Sequence, residues 1–227
     1  MIKTTPPSTG SWIAHSIHDL KDMFQNYFST HGTTVVGNVG EQQEEDVGIR
    51  CYHSKTGVVE LLLNHLVEKD DETIVVDMVA GADAFASGLY DKFDLTVLVV
   101  EPTVKSTKVF EQYSEQASKL GVTVMAIGNK VLNEDDETFL RERLGDALLG
   151  CLSMSSFVRD EERGEMHDIQ DLEPQNLALL EKIQTTLFNQ SKDWDDYLHR
   201  TIEIHKKNAK SWGNAAIGKD LEKQIDK

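Results

Sequence analysis

The stretch LTVLVVEPTVKSTKVFEQYSEQASKLGVTVMAIGNK, residues 95–130, decides the fold class. Leu95 to Val100 and Val122 to Ile127 are short apolar runs rich in β-branched residues. Each is too short for a core helix and is bounded by charge or glycine, so each is expected as a strand buried on both faces. Between them, Lys105 to Leu120 sets Val109, Phe110, Tyr113 and Ala117 on one helical face. Strand, helix and strand within about thirty residues form a crossover unit, which implies a parallel sheet.

The same logic extends outward. Ile74-Val75-Val76 is expected as another strand, and Ala147 to Met154 as one more after a helix over Asp135 to Leu144. Asp160 to Gly164 reads as a charged loop. Two helices follow, Leu172 to Phe188 with Leu177, Leu180, Ile183 and Leu187 in register, and Trp194 to Lys207 with Tyr197, Leu198, Ile202 and Ile204. Upstream, Leu20, Met23, Phe24, Tyr27 and Phe28 mark a helix ending near His31 and Gly32. Thr33 to Val36 is a short strand candidate, Gly37 to Arg50 a loop, and a helix starting at Ser54 carries Val58, Leu61, Leu62, His65 and Leu66. Beyond Ala209 the chain is either a docked arm or a frayed tail around Trp212. The class is α/β, a mostly parallel sheet flanked by helices with further helices at the C-terminus.

Composition narrows the partners. Basic residues number 23 against 39 acidic, a formal charge of -16, and the isoelectric point is near 4.8. Sequence-independent binding to nucleic acid or anionic membrane needs a basic surface, so neither is expected. No apolar run approaches the ~20 residues that span a bilayer, and the polar start lacks the pattern of a secretory signal; the cytoplasm is the default expectation. Cys51 and Cys151 form no CxxC pair and read as ordinary thiols.

In a parallel α/β sheet, chemistry gathers at the carboxyl ends of the strands. Asp77 closes Ile74-Val75-Val76 and is followed by Met78-Val79-Ala80-Gly81. An aspartate there can hold Mg²⁺ through water, and the glycine lets backbone N–H approach a terminal phosphate; a solvated strand end or helix cap is the plainer alternative. Ile127-Gly128-Asn129-Lys130 offers an amide that can both donate to and accept from a purine edge, and a lysine stem that can cover the ring. The guanine-specific form of such a turn has an aspartate two residues after the lysine. Leu132 stands there instead, which favours adenine. Asn129 as a turn residue tolerating positive φ is the competing reading. Glu101-Pro102-Thr103 with Ser106 is expected to serve as strand end and helix cap.

The run VVDMVAGADAFASGLYDKFDLTVLVVEPTVKS, with IGNKV downstream and CYHSKTGVVELLLNHL upstream, resembles the CooC-type branch of the MinD/ParA (SIMIBI) P-loop ATPases over roughly Gly48 to Leu187. The resemblance rests on a DMxAG switch element, a VVVEP strand and an NKV base-binding turn in the same order. It implies an ATP- and Mg²⁺-dependent homodimer whose cycle serves maturation of a metalloenzyme or positioning of a client protein. Asp77 would then serve Mg²⁺, Gly81 would sense the γ-phosphate, Asn129 and Lys130 would meet adenine, and Phe157 and Val158 would flank the base. It also implies a Rossmann-like nucleotide-binding domain over residues 1–190, with 191–227 as a C-terminal helix and tail.

The sequence departs from that family in three places. No GxxxxGK[ST] phosphate loop occurs in the 227 residues; Lys3-Thr4-Thr5 has no preceding glycine and is followed by Pro6 and Pro7. The strand that should feed the loop, between the neighbours Ile74 to Asp77 and Leu95 to Val100, has no good candidate, Thr33 to Val36 being a poor one. The expectation is an incomplete domain, the C-terminal portion of a longer ATPase, inactive by itself, with a natural pseudo-ATPase or non-catalytic interaction module as the alternative. The family's Cys-x-Cys pair is reduced to Cys51, with His53 beside it as a thin substitute. A receiver-domain reading of Asp77, Thr103 and Lys130 fails for want of an acidic pair after a first strand and of a proline after the lysine.

Overall fold

The computed structural model describes residues 5–23, 25–40, 56–69, 71–78, 82–85 and 87–225. Contacts divide the chain into two compact units, residues 93–192 and residues 1–92 with 193–227.

The unit of residues 93–192 is the α/β part. Its order begins with β3 (Thr96–Val100), α3 (Val104–Lys119), β4 (Val124–Val131) and α4 (Glu134–Leu144), and continues with β5 (Leu148–Ser153), α5 (Ser156–Glu162) and α6 (Pro174–Phe188). The three strands pair in parallel in the order β3-β4-β5. Because successive strand residues point to opposite faces, the sheet has two apolar sides. Val100, Ala126, Val131, Leu98, Val124 and Leu148 pack with Phe110, Leu140 and Leu144 of α3 and α4. Val97, Met125, Ile127, Leu149 and Leu152 pack with Leu179 and Ile183 of α6. The product is a helix, sheet, helix sandwich of Rossmann-like form, as the crossover pattern predicts. Gly128 is required by packing, since a Cβ there would lie 2.6 Å from Leu140 Cδ1 and 2.7 Å from Cys151 Sγ.

Two local expectations change in this unit. The strand expected to close at Ile127 runs on to Val131, and the charged segment after Met154 opens as helix α5. That helix is capped by Ser155, whose Oγ accepts the Val158 N–H at 3.0 Å. Asp160 to Glu162, read as loop, are its last turn.

The other unit contains α1 (Ile17–Met23), β1 (Phe28–His31), β2 (Thr34–Gly37), α2 (Thr56–Asn64), α7 (Trp194–Asn208) and α8 (Asn214–Ile217). The helix expected to reach His31 stops at Met23, and Phe28–His31 pairs antiparallel with Thr34–Gly37. The turn explains the change: Gly32 takes φ 58 in a two-residue hairpin connection. Gly37 sits opposite Phe28, where a Cβ would lie 2.5 Å from the Phe28 ring. Ile74-Val75-Val76, expected as a strand, is irregular. No described residue pairs with its backbone, and Val75 is 88% exposed; only Ile74 joins the apolar cluster of Ala14, Leu20 and Leu66. An apolar β-branched run is a strand only where a neighbour completes its ladder.

The C-terminal segment is a docked arm. A π-helical turn over Ala209–Gly213 leads into α8, the Leu221 N–H donates to Asn214 Oδ1 at 2.8 Å, and Leu221 is 4% exposed. Polar contacts fasten α7 to the turn before residue 93 and to α2. Lys92 Nζ donates to Thr201 Oγ1 at 3.0 Å, Arg200 Nε pairs with Asp91 Oδ1 at 2.6 Å, and Asn208 Nδ2 donates to Glu60 Oε1 at 3.0 Å. No helix among the described residues is long and apolar enough to cross a membrane.

Candidate functional site

The carboxyl end of β4 is built around an irregularity. Register advances from Gly128↔Cys151 to Val131↔Ser153, three residues on one strand against two on the other, so β4 carries a bulge at Asn129 and Lys130. Lys130 takes φ 57, which side chains other than glycine seldom adopt. The positive φ expected of Asn129 as a turn residue thus falls on its neighbour. The Lys130 N–H donates to Asn129 Oδ1 at 2.9 Å, and Lys130 Nζ donates to Glu101 Oε1 at 2.7 Å. Glu101 lies just beyond β3. The hydrogen bond it donates to Glu101, then the charge of that carboxylate, raises the Lys130 ammonium above its ordinary value, with a further contribution from Glu162 at the end of α5. Among the described residues the Asn129 amide N–H groups are uncommitted, so two donors remain for a purine edge while Glu101 holds the lysine.

Glu101 is placed by the next turn. Its N–H donates to Ser106 Oγ at 3.0 Å, and the Ser106 N–H donates to Thr103 Oγ1 at 3.2 Å, capping α3. Thr103 has the structural duty expected of it.

Phe157 and Val158 occupy the first turn of α5. Phe157 is half-buried, its ring centroid 6.0 Å from that of His167, and Val158 is 49% exposed. What holds this turn was not visible in the sequence. Glu173, just before α6, accepts from Ser155 Oγ at 2.7 Å, the Ser156 N–H at 2.8 Å, Ser156 Oγ at 3.1 Å and Asn176 Nδ2 at 3.1 Å. The bonds from Ser155 and Ser156, Ser155 first, lower the Glu173 carboxyl to about 2. Asn176, 2% exposed, accepts from the Ser153 N–H at 2.9 Å and ties the end of β5 to the same helix. The signal that could have found the network is Ser153, Ser155 and Ser156 at a strand end opposite an acid and an amide three residues apart.

Asp77 belongs to the unit of residues 1–92 with 193–227 and is exposed on the irregular segment after Val76. Among the described residues it does not end a hydrogen-bonded strand. Gly81, Cys51 and His53 lie outside the described residues. Cys151 is half-buried beneath Gly128, and burial pushes its thiol up, in keeping with an unreactive thiol. Asp160, Glu165 and His167 have ligand atoms within 4.8 Å of one another. Two of the three are exposed and Asp160 lies 3.7 Å from Arg163, so water and an arginine compete with any ion there.

No family model matches the chain. Three known proteins resemble part of it. An uncharacterized ATP-binding protein of Methanocaldococcus jannaschii is 36% identical over 110 residues, 47% of this chain and 43% of that protein. The carbon monoxide dehydrogenase accessory protein CooC of Rhodospirillum rubrum is 32% identical over 114 residues, 49% of this chain and 43% of CooC. A second uncharacterized ATP-binding protein of M. jannaschii is 26% identical over 133 residues, 56% and 53% of the two chains. The expected resemblance to CooC-type ATPases is therefore borne out over about half of the chain, and the chain spans about half the length of these relatives.

Proposed function

We propose that this chain carries the base-recognising part of an ATP-binding protein of the CooC type, in which nucleotide state switches a homodimer serving a client metalloenzyme. The observation that carries the proposal is the bulged end of β4, where Asn129 keeps amide donors for a purine and Glu101 fixes Lys130 at the carboxyl edge of a parallel sheet. The relatives named as ATP-binding proteins support the nucleotide, and CooC supports an accessory role.

On this proposal the Asn129 amide meets the adenine edge, the Lys130 stem covers one side of the ring, and Phe157 and Val158 flank it from α5. Leu132, 74% exposed, presents no carboxylate for the amino group that distinguishes guanine. ATP, when bound, supplies the phosphoanhydride whose hydrolysis changes the switch. Hydrolysis itself, the role of Asp77 toward Mg²⁺, that of Gly81 toward the γ-phosphate, the extent of the domain over residues 1–190, the dimer and a cytoplasmic setting all belong to the proposal. With no glycine-rich phosphate loop in the sequence, the base contacts carry most of the attraction, so affinity is low.

The test is a titration of the isotope-labelled chain with AMP and with GMP, followed by amide chemical shifts. The expected outcome is a dissociation constant of about 1 mM for AMP, with shifts at Asn129, Lys130 and Val158, and weaker response to GMP. Undisturbed amides at those residues, or equal response to both nucleotides, overturns the proposal. A dissociation constant of about 1 µM for Mg·ATP overturns the account of its phosphate contacts.

A further inference from the structure

Helix α5 has no buried residue. Apolar packing, which fixes α3, α4 and α6 on the sheet, therefore contributes little to holding the turn that carries Phe157 and Val158. Its place is set by hydrogen bonds, and most of those converge on one side chain. Glu173 stands at the N-cap of α6, yet its side chain makes no capping hydrogen bond to the first turn of that helix. Its carboxylate reaches to the start of α5 instead, taking the Ser155 hydroxyl on Oε2 and the Ser156 N–H and hydroxyl on Oε1. Ser155 in turn accepts the Val158 N–H. Asn176 braces the arrangement from within α6, donating to Glu173 and binding Ser153 at the end of β5.

Four donors on one carboxylate cannot be matched by a neutral amide of the same shape. Glutamine offers a single acceptor oxygen and sets an NH₂ group against donors. Donor set against donor, in a network whose members polarise one another, loosens the whole turn rather than one bond.

We propose that Glu173 is a positioning residue for base recognition: it presets Phe157 and Val158 against the purine ring, and the preference for adenine over guanine depends on it. This rests on the nucleotide reading above and goes beyond it, by assigning selectivity to a residue that need not touch the ligand.

The experiment compares the wild-type chain with Glu173→Gln by two readouts. Amide hydrogen exchange at Ser156 and Val158 reports the clamp, and AMP and GMP titrations report the preference. The expected result is exchange at least tenfold faster in Glu173→Gln, with the AMP to GMP affinity ratio falling toward one while helix content by circular dichroism stays unchanged. A general loss of structure would weaken both nucleotides together and leave their ratio intact, so the ratio separates positioning from scaffolding. Unchanged exchange overturns the clamp. Faster exchange with the ratio preserved overturns its part in selectivity while leaving the nucleotide reading standing. Wild-type chain that binds neither nucleotide removes that reading and this proposal with it. Should Glu173→Gln lose helix content, Ser155→Ala, which deletes one donor and the α5 cap, is judged by the same two readouts.

Discussion

Lys130 holds a backbone conformation that glycine adopts without strain, and it holds it while its side chain is tied to Glu101. Replacing it by glycine separates the two duties. Lys130→Gly should raise stability by about 1 kcal/mol through relief of the left-handed conformation and should weaken AMP binding, both readable from thermal denaturation and the titration. Lys130→Ala keeps the strain and loses the contact, so it should lower affinity without the stability gain. Glu173 provides a second residue-scale expectation. Its carboxyl lies at about 2 in the folded chain against an ordinary 4.5. A depressed folded value means that its contribution is complete above the ordinary range and is lost as pH falls from about 4.5 through about 2. Protection of the Ser156 and Val158 amides, the exchange rate relative to that of an unstructured chain at the same pH, should persist down to about pH 4 and fall below it in wild type; in Glu173→Gln it should already be low at neutral pH.

At the scale of elements, the sheet of residues 93–192 was legible because its periods are unmixed. Leu95 to Val100 and Lys105 to Leu120 differ in repeat, and each run is long enough for the difference to register. Thr103 was legible as a cap by the same local chemistry. The failures have one cause in common: their conformation depends on a partner outside the segment itself. Phe28–His31 is a strand only because Gly32 turns it onto Thr34–Gly37, and the bulge at Asn129 is defined only against β5. Ile74 to Val76 has a strand's composition without a strand's neighbour among the described residues. The Glu173 network joins side chains about twenty residues apart across α5, which no spacing rule anticipates. Leu140, fully buried between α4 and the sheet, tests whether this core governs the element. Leu140→Ala should cost about 3 kcal/mol in chemical denaturation. Because its Cδ1 also bounds the space beside Gly128, the variant should disturb the amides of β4 near the bulge.

At the scale of the whole molecule, the unit of residues 1–92 with 193–227 depends on polar contacts between distant parts of the chain. Asp91 is nearly buried, and burial pushes its carboxyl up while Arg200 pulls it back. Arg200→Ala leaves that carboxylate without its partner and should destabilise by about 2 kcal/mol at neutral pH. Lowering the pH should recover part of the loss, because a carboxyl with a raised folded value favours the folded state once protonated. The formal charge of -16 adds a general expectation: self-repulsion is screened by salt, so moderate sodium chloride should raise the midpoint of thermal unfolding.

The division of the chain also separates its fluorophores. All three tryptophans, Trp12, Trp194 and Trp212, belong to the unit of residues 1–92 with 193–227, while residues 93–192 contain none. Indole emission is therefore a private channel for one half of the molecule, and ultraviolet absorption by the peptide helices reports both halves. Emission melts and far-ultraviolet melts that coincide mark one cooperative transition; melts that part company give each half its own midpoint without labels or added dye.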